Sequence, residues 1–324
     1  MSINSSMEDI FKAKITATEA AELIDVSVQY IHKHLKLKGL QSLKSQNRVY
    51  FGHNTSKELL QIQFEPRAIA FQIVKGGTGK TSLAHSFAIR ANLYGARVLC
   101  IDIDQQGNLT HAFNHNANES PVMIDIVKDD LSVKDCIVNI SPGLDLIPSR
   151  IENAILDNFI MLNKYPLDRL YKNLISEIRG NYDLIVFDCP PALGQSVAAV
   201  SLAADTIISP LTPEQFSLSG LKITYDELNA LTKKFANNAQ LKIVLNKFDT
   251  RTALSSEVLS TLLNDDILKT LLCKSFVRSC QEFPNAIYAG TNIFSSLKNS
   301  SAKEDIDLFT KEILNISNLG NINK

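Results

Sequence analysis

Residues 75–81 read Lys-Gly-Gly-Thr-Gly-Lys-Thr, a glycine-rich loop with one lysine at its start and another near its end. An apolar run precedes this loop at residues 68–74, and a stretch with helical periodicity follows it at residues 81–93. Glycines let the backbone approach an anion closely, and the free N–H groups at the start of a helix attract phosphate oxygens. The order of strand, glycine-rich loop and helix therefore predicts a phosphate-binding loop.

The side chains of this loop predict individual roles. Lys80 is expected to neutralise the β- and γ-phosphates of a nucleotide, and the Thr81 hydroxyl to bind Mg²⁺. Val74 occupies the position where the strict G-x-x-x-x-G-K-[ST] pattern has its first glycine, so the loop is a variant of that pattern. The expected nucleotide contacts of the segment are Lys75, Gly76, Gly77, Thr78, Gly79, Lys80, Thr81 and Ser82.

Further apolar runs with the texture of buried strands follow the loop. They lie at residues 97–103, 182–187, 206–210 and 241–246, and a second stretch with helical periodicity lies at 167–178. Runs that are nearly continuous in Ile, Val, Leu and Phe are typical of strands covered on both faces, as in a parallel sheet. The alternation of strand and helix predicts a doubly wound α/β domain with a mostly parallel sheet.

Polar side chains stand where these predicted strands end. Asp102 and Asp104 end the second strand, Asp188 follows the third, and Asn246 ends the fifth. Ligands of open α/β sheets bind at the carboxyl ends of the strands, so we expect these residues at one site. Asp188 is a candidate for holding Mg²⁺, directly or through water. Of Asp102 and Asp104, one would order metal-bound water and the other the attacking water.

The composition limits the classes of protein that remain. The 324 residues carry a formal net charge of −1 and are 45% hydrophobic, as in ordinary globular proteins. The five cysteines form no CxxC pair, which argues against a disulfide framework or a zinc site and favours a cytosolic protein. A secretory signal is not expected, because residues 1–6 are polar and no apolar h-region follows. A transmembrane helix is not expected, since no run of about 18 apolar residues occurs. Any basic surface for nucleic acid must be local.

The composition of the chain changes near residues 64–67, from a small unit rich in Lys, His and Gln to alternating apolar runs and helical stretches. This change predicts an N-terminal domain at 1–65 and a P-loop domain at 66–324. Residues 15–24 are predicted to form an amphipathic helix with a capping box, and residues 28–36 a second helix after a tight turn. This pattern predicts a helix-turn-helix whose second helix enters the major groove, followed by a wing strand at 47–51. A helical hairpin that packs in a dimer is the alternative. The candidate DNA contacts are Gln29, Tyr30, Lys33, His34 and, in the wing, Arg48.

Four segments together resemble the ParA/MinD family of deviant Walker A ATPases. They are the loop at 75–81, Asp-Ile-Asp-Gln-Gln-Gly-Asn at 102–108, Asp-Leu-Ile-Val-Phe-Asp-Cys-Pro-Pro at 183–191 and Phe-Asp-Thr-Arg-Thr at 248–252. The similarity extends over roughly residues 68–300, and the last segment is typical of the ParA branch. The N-terminal unit resembles the winged helix-turn-helix of MerR-like regulators, which larger plasmid ParA proteins carry and use to repress their own operon.

The resemblance implies a function and a role for each site residue. It implies an ATP- and Mg²⁺-dependent sandwich homodimer in which Lys75 reaches the partner's phosphates. Asp104 would position the hydrolytic water, Asp102 would support the metal shell, Asp188 would be the Walker B acid, and Asn246 would contact adenine. Members of the family bind non-specific DNA as ATP-bound dimers, which implies a cytoplasmic, nucleoid-associated protein, and a ParB-like centromere-binding partner stimulates their hydrolysis.

The sequence also departs from the family pattern. Gln105 replaces the proline that usually follows the second aspartate of the 102–108 segment. The basic DNA-contact residues of the C-terminal part match only partly: Arg251 and Arg278 are candidates, but Gln281 lies where a second arginine is expected.

Other functions compete with the partition ATPase. One is a DNA-binding repressor that uses ATP as a regulatory ligand. Another is a MinD-like membrane-associated positioning ATPase, but the tail at 304–316 has a mixed polar face, so we expect its apolar side chains to pack against the ATPase core. An iron–sulfur reductase is the last, and the cysteines are wrongly placed for it, although Cys189 lies in the Walker B segment. The apolar side chains of the tail are Ile306, Phe309, Ile313 and Leu314.

Overall fold

The structure, a computed structural model, describes residues 12–214, 217–236 and 238–316. Within these ranges the chain forms a small three-stranded antiparallel sheet and an eight-stranded main sheet. The small sheet has the order β1-β3-β2 and belongs to an N-terminal unit. The elements of that unit are β1 (Ile15–Thr16), α1 (Ala17–Leu23), α2 (Val28–Leu37), β2 (Leu43–Ser45), β3 (Arg48–Phe51) and α3 (His53–Leu60).

The start of α1 shows how local sequence sets the N-terminal unit. Thr16 and Glu19 form the predicted capping box, in which the Thr16 hydroxyl accepts from the Glu19 N–H and the Glu19 carboxylate accepts from the Thr16 N–H. The helix begins at Ala17, however, and the prediction that it starts at residue 15 is wrong. Ile15 and the capping threonine are extended because they pair with Phe51 and Tyr50 of β3.

The main sheet has the strand order β11-β10-β9-β4-β8-β5-β7-β6, and all neighbours pair in parallel except β6 with β7. The predicted mostly parallel, doubly wound α/β fold is confirmed. The strands are β4 (Arg67–Phe71), β5 (Val98–Asp102), β6 (Val138–Ser141), β7 (Leu144–Ile147), β8 (Leu184–Asp188), β9 (Thr206–Leu211), β10 (Gln240–Phe248) and β11 (Leu272–Arg278).

Helices cover both faces of this sheet, as the continuous apolar strands require. In β8, for example, Leu184 and Val186 join the core under α4 and α14, whereas Ile185 and Phe187 join the core under α8 and α9. The helices are α4 (Lys80–Leu93), α5 (Asn108–Ala112), α6 (Met123–Asp129), α7 (Leu156–Leu162), α8 (Leu167–Ile178), α9 (Gln195–Ala203), α10 (Ser217–Phe235), α11 (Ala253–Asn264), α12 (Leu268–Leu271), α13 (Glu282–Tyr288) and α14 (Ser301–Ile313).

All five strands expected from the apolar runs occur, as β4, β5, β8, β9 and β10. No comparable apolar run predicts the other three strands. The short strands β6 and β7 form one edge of the sheet, and β11 forms the opposite edge. The exposed side chains of Lys274 and Phe276 interrupt the apolar pattern of β11, since an edge strand need not be covered on every side.

The N-terminal unit packs on the α/β domain of the main sheet through one shared hydrophobic core. Ile15, Phe51 and Leu59 belong to the same buried cluster as Phe87 and Phe309 of the main domain. No break in packing marks residue 65, so the boundary between 1–65 and 66–324 stays a prediction about domains.

A buried arginine reinforces this docking. Arg90 of α4 is 3% exposed, and it donates hydrogen bonds to Glu19 of α1 and to Asp307 of α14. The Tyr94 hydroxyl donates to Asp307 at 2.5 Å. Breaking a buried ionic network of this kind is strongly destabilising, because it leaves an uncompensated charge. Glu19, the N3 residue of the α1 capping box, is thereby tied to the helix that follows the phosphate-binding loop.

The tail helix α14 packs against the ATPase core, as predicted. Ile306 and Phe309 are fully buried against α4 and β11, Ile313 is buried, and Leu314 packs at the edge of the same cluster. Among the described residues, no helix combines the length and the apolarity needed to cross a bilayer.

Candidate nucleotide-binding site

The glycine-rich loop lies between β4 and α4 and has the backbone of a phosphate cradle. Gly77 and Gly79 have φ angles of +75° and +85°, in the left-handed region that favours glycine. A Cβ atom on Gly79 would lie 2.3 Å from Nδ2 of Asn246, so no larger residue fits there without movement. The Asn246 side chain at the end of β10 therefore lies directly against the backbone of the loop.

Two consecutive residues of β10 hold the loop in place. Asn246 donates from Nδ2 to the carbonyl oxygen of Thr78 at 2.7 Å, and Lys247 donates from Nζ to the carbonyl oxygen of Gly77 at 2.8 Å. The carbonyl groups of Gly77 and Thr78 therefore point towards β10. The hydroxyl oxygen of Thr78 is buried and has no hydrogen-bond partner, which leaves a donor for a ligand at the loop.

The two lysines of the loop have different surroundings. Lys80 is buried, its Nζ donates to the carbonyl oxygen of Lys75 at 3.0 Å, and burial lowers the pKa of its ammonium group. Lys75 instead forms an ion pair with Glu214, 2.5 Å from Nζ to Oε2. Lys80 lines the central cavity and the Lys75 side chain does not. One lysine is thus placed for phosphate in the same subunit, and the other is directed elsewhere.

Asp188 and Thr81 form an oxygen pair suited to a magnesium ion. The Thr81 hydroxyl donates to Oδ2 of Asp188 at 2.7 Å, and Oδ1 of Asp188 is buried without a hydrogen-bond partner. Burial raises the pKa of Asp188, and the nearby carboxylate of Asp102 raises it further. A carboxylate that is costly to ionise and has a free oxygen is stabilised by a cation, so the residues fit Mg²⁺.

Asp102 lies opposite Asp188 on the neighbouring strand β5 and has its own partners. It accepts hydrogen bonds from the N–H and hydroxyl of Thr110 at 2.9 and 2.8 Å, and from the N–H of Asp104 at 3.2 Å. Burial raises the pKa of Asp102 to about 7. Its contacts fix the segment that carries Asp104, whose carboxylate accepts from the N–H of Gln106 at 3.0 Å.

A cavity of about 620 Å³, a size typical of small-molecule sites, is lined by the loop together with Asp104 and Asn246, whereas Asp102 and Asp188 are not among its lining residues. No group of three or more His, Cys, Asp or Glu side chains is arranged for a metal in the described part of the chain. Mg²⁺ is commonly held by one or two carboxylates together with substrate phosphates, which is what Thr81 and Asp188 offer. The ion would neutralise phosphate charge when bound.

Sequence reasoning missed one wall of the cavity. This wall follows β11 and α13 begins within it, and it adds apolar surface to the polar loop. The strand-end rule would have found it had β11 been recognised, because β11 also ends at this edge of the sheet. The missed residues of the wall are Ser279, Cys280, Phe283, Pro284 and Ile287, and those elsewhere in the lining are Leu83, Asn108, His111, Pro191 and Lys247.

The candidate DNA-contact residues fall in separate places. Gln29, Tyr30 and Lys33 are exposed on α2, and the ring of His34 stacks on that of Tyr30 with centroids 3.8 Å apart. The other candidates are arginines with partners: Arg48 donates to the Leu297 carbonyl oxygen, Arg251 pairs with Asp249, and Arg278 pairs with Asp305 and lines the nucleotide cavity.

Proteins of known family resemble this chain in sequence. The AAA domain family model matches residues 66–243, which contain the loop, both aspartate segments and all of β4, β5, β8 and β9. The sporulation initiation inhibitor protein Soj of Bacillus subtilis is 31% identical over 196 residues, 60% of this chain and 77% of Soj. This chain belongs to the ParA family of ATPases. It is an ATPase.

A further relative is similar in sequence, and two solved structures are similar in fold. The cell division protein PomZ of Myxococcus xanthus is 28% identical over 243 residues, 74% of this chain and 75% of PomZ. The fold matches the ATP complex of a McdA variant from Cyanothece, with a TM-score of 0.70 and 20% identity over 79% of this chain and 98% of McdA. It also matches a protein of Borrelia burgdorferi described as a plasmid partition protein and bound to AMPPNP, with a TM-score of 0.65 and 21% identity over 78% of this chain and 99% of that chain.

Proposed function

We propose that this ParA-family ATPase segregates DNA and that ATP binding makes it dimerise. The observation that carries the proposal is the position of Lys75. Its ammonium group pairs with Glu214 and it is not part of the cavity lining, whereas Lys80, the other lysine of the loop, lines the cavity and is placed for phosphates in cis. A second lysine, at the start of the loop, is best explained if it binds the phosphates of a partner subunit.

In this proposal hydrolysis depends on positioning within the cavity. Asp104 lines the cavity and orients the attacking water, while Asp102 supports the metal shell and fixes the backbone of Asp104. Asn246 contacts the adenine from the end of β10. Phosphoryl transfer depends mainly on such positioning and on charge stabilisation, so small shifts of the 102–108 segment would set the rate.

The dimer would bind DNA, and a ParB-like centromere-binding protein would stimulate hydrolysis and release it. The protein would then be cytoplasmic and associated with the nucleoid. Two relatives support a role of this kind by their names: a virulence plasmid ParA family protein from Chlamydia psittaci is 28% identical over 255 residues, and the Borrelia protein is described as a plasmid partition protein.

The N-terminal unit would add operator binding and autorepression. The unit has the order strand, two helices, two-stranded wing and third helix, and α2 presents exposed Gln29, Tyr30 and Lys33 on the face away from the shared core. Lys33 and His34 could contact phosphates or base edges, as the second helix of a helix-turn-helix does. Arg48 lies at the start of the wing strand β3.

An ATP-regulated repressor is the second candidate, and the exposed face of α2 favours it. The two functions differ in their dependence on hydrolysis. We expect a partition ATPase to show hydrolysis that DNA and a ParB-like protein from the adjacent gene raise together by at least about tenfold. A repressor would bind its operator with ATP while hydrolysis stays flat under all these conditions.

The operator experiment should use substitutions rather than removal of residues 1–65. Removal would expose the core that Ile15 and Phe51 share with the ATPase layer. Lys33→Glu on α2 is expected to weaken operator binding and leave ATP hydrolysis unchanged. Lys172→Glu on the distant helix α8 is the matched control, and unchanged operator binding by Lys33→Glu contradicts the proposed role of α2.

A further inference from the structure

The segment that carries Asp104 is tied at both ends to one buried carboxylate. Oδ1 of Asp102 accepts from the N–H of Asp104 at 3.2 Å, and Oδ2 accepts from the N–H of Thr110 at 2.9 Å. Residues 103–109 therefore lie between two hydrogen bonds to the same side chain. This segment contains Gly107 and no proline, so no ring restricts its backbone. The position of Asp104 in the cavity depends on the noncovalent contacts of the segment.

The Thr110 side chain joins this segment to the neighbouring part of the sheet. Its hydroxyl donates to Oδ2 of Asp102 at 2.8 Å and accepts from the N–H of Ser149 at 2.9 Å. A hydroxyl has one proton, and because the Ser149 N–H is itself a donor, that proton is directed to the carboxylate. All three residues are buried, with at most 3% of each exposed, so water does not compete for these hydrogen bonds.

Ser149 follows β7, the strand beside β5, and contacts the 103–109 segment at a second point. Gly107 has a φ of +62°, and a Cβ atom there would lie 2.8 Å from the Ser149 carbonyl oxygen. The Ser149 hydroxyl in turn accepts from Nδ2 of Asn153 at 2.7 Å, and Oδ1 of Asn153 accepts from the N–H of Ile124 at 3.0 Å. The backbone after β7 is thus fixed on its own side and gives Thr110 a rigid anchor.

We propose that Thr110 is a positioning residue for ATP hydrolysis: its hydroxyl fixes the Asp102 carboxylate and so holds Asp104 where it orients the attacking water. The proposal rests on the roles proposed above for Asp102 and Asp104. Thr110 is not part of the cavity lining, so it acts through these aspartates and does not contact the nucleotide. The phosphate-binding side chains Lys80 and Thr81 lie on another helix, α4, so loss of the Thr110 hydroxyl slows the chemical step and leaves nucleotide affinity unchanged.

Thr110→Val tests the proposal, because it removes the hydroxyl and keeps the shape of the side chain. We expect kcat for ATP hydrolysis to fall by at least about tenfold, since a hydrogen bond to a charged group contributes about that factor. The KM for ATP and the dissociation constant of a fluorescent ATP analogue should change by less than about twofold. Thr110→Ser keeps the hydroxyl and should restore most of kcat.

Hydrogen exchange gives a second measurement that needs neither nucleotide nor metal. In Thr110→Val, the amide groups of residues 103–112 should exchange faster than in wild type, because the segment has lost a buried contact that holds it. Exchange in the rest of the chain should stay the same, and Thr110→Ser should return the 103–112 segment to the wild-type rate.

Thr55→Val is the matched control. The Thr55 hydroxyl is buried and donates to the Gln41 carbonyl oxygen at 2.6 Å within the N-terminal unit. Both valine variants should lose a similar amount of thermal stability, since each removes one buried hydroxyl. In Thr55→Val, kcat and the exchange of residues 103–112 should not change.

An unchanged kcat in Thr110→Val overturns the proposal, as does a kcat that Thr110→Ser fails to restore or an equal loss in Thr55→Val. A loss of ATP affinity that accounts for the whole effect also overturns it. Should Thr110→Val not fold, Thr110→Ala removes the same hydroxyl without a branched side chain, and the same comparison with Thr110→Ser decides.

Asp104→Ala separates this proposal from the roles on which it rests. Full hydrolysis in Asp104→Ala overturns the role of that carboxylate, and with it the role of Thr110. Hydrolysis that is lost in Asp104→Ala but retained in Thr110→Val overturns only the role of Thr110.

Discussion

The Thr81 hydroxyl donates a 2.7 Å hydrogen bond to Oδ2 of Asp188, and the other oxygen of that carboxylate is buried without a partner. The two side chains come from positions 107 residues apart and meet because α4 begins, and β8 ends, at the same edge of the sheet. Burial and the neighbouring Asp102 both raise the pKa of Asp188. An ionised Asp188 is therefore unfavourable in this buried site unless a cation binds. Metal binding is thus coupled to the protonation of the Asp102 and Asp188 carboxyl groups.

Asp188→Asn should separate stability from activity. The amide keeps an oxygen for Thr81 and removes the buried charge, so we expect the free energy of unfolding to rise by about 1 kcal/mol. ATP hydrolysis should fall by at least about 100-fold, because the metal loses its carboxylate. Urea denaturation and a phosphate-release assay measure the two effects. A variant that is both less stable and fully active would show that Asp188 is structural.

Lys80→Ala should abolish nucleotide binding. Lys80 is buried in the loop, whereas Lys247, which also lines the cavity, is exposed. We expect the affinity for ATP to fall by at least about 100-fold, measured by titration calorimetry. Tight ATP binding by a folded Lys80→Ala variant would refute the assignment of the loop.

Asp104→Ala should keep ATP binding and lose hydrolysis. Asp104 lines the cavity, and its carboxylate accepts a hydrogen bond from the Gln106 N–H within its own turn. We expect an ATP-bound dimer that persists in size-exclusion chromatography with light scattering, while wild-type dimers decay as ATP is consumed. A variant that stays monomeric with ATP contradicts the proposed role of this carboxylate.

The fold and the centre of the site were predictable because their signals are local. Continuous apolar runs marked β4, β5 and β8, and the loop at 75–81 carries its chemistry in consecutive residues. The capping box at Thr16 was visible for the same reason, although the pairing of Ile15 with Phe51 was not.

The remaining features depend on partners far apart in sequence. Arg90 looks like a surface residue on an amphipathic helix, yet Glu19 and Asp307 bury it from 71 and 217 positions away. Glu214, which holds Lys75, is 139 positions from it. The wall after β11 was missed because Lys274 and Phe276 are exposed on an edge strand, so the run lacked an apolar signature.

His85 on α4 should make the fold sensitive to acid. Burial lowers its pKa to about 4, although a backbone hydrogen bond with Ala112 opposes this in part. The folded chain thus keeps His85 neutral, while the unfolded chain takes up a proton near pH 6.5. Stability is fully present above pH 6.5 and is lost as the pH falls towards 4, by up to about 3 kcal/mol from this residue.

His85→Gln tests that contribution by urea denaturation at several pH values. The variant should lose less stability than wild type between pH 6.5 and 4, because the amide does not titrate. His32→Gln, at an exposed position of α2, is the control and should follow the wild-type profile. Parallel profiles for His85→Gln and wild type would show that another group causes the acid sensitivity.

Glu214→Gln should strengthen ATP-dependent dimerisation. Glu214 holds the Lys75 ammonium at 2.5 Å in the single chain, and the hydrogen bond from Lys75 lowers the pKa of this carboxylate, so Glu214 is ionised at neutral pH. If Lys75 serves the partner's phosphates, it must first leave Glu214. The Glu214 side chain is 58% exposed, and exposed pairs are weak, so we expect only up to about a fivefold gain in dimer affinity. Sedimentation with ATP in an Asp104→Ala background measures it.

Asp266→Asn is the matched control, since it removes an exposed carboxylate 2.5 Å from Lys269. Weaker dimerisation in Glu214→Gln would show instead that Glu214 acts within the dimer.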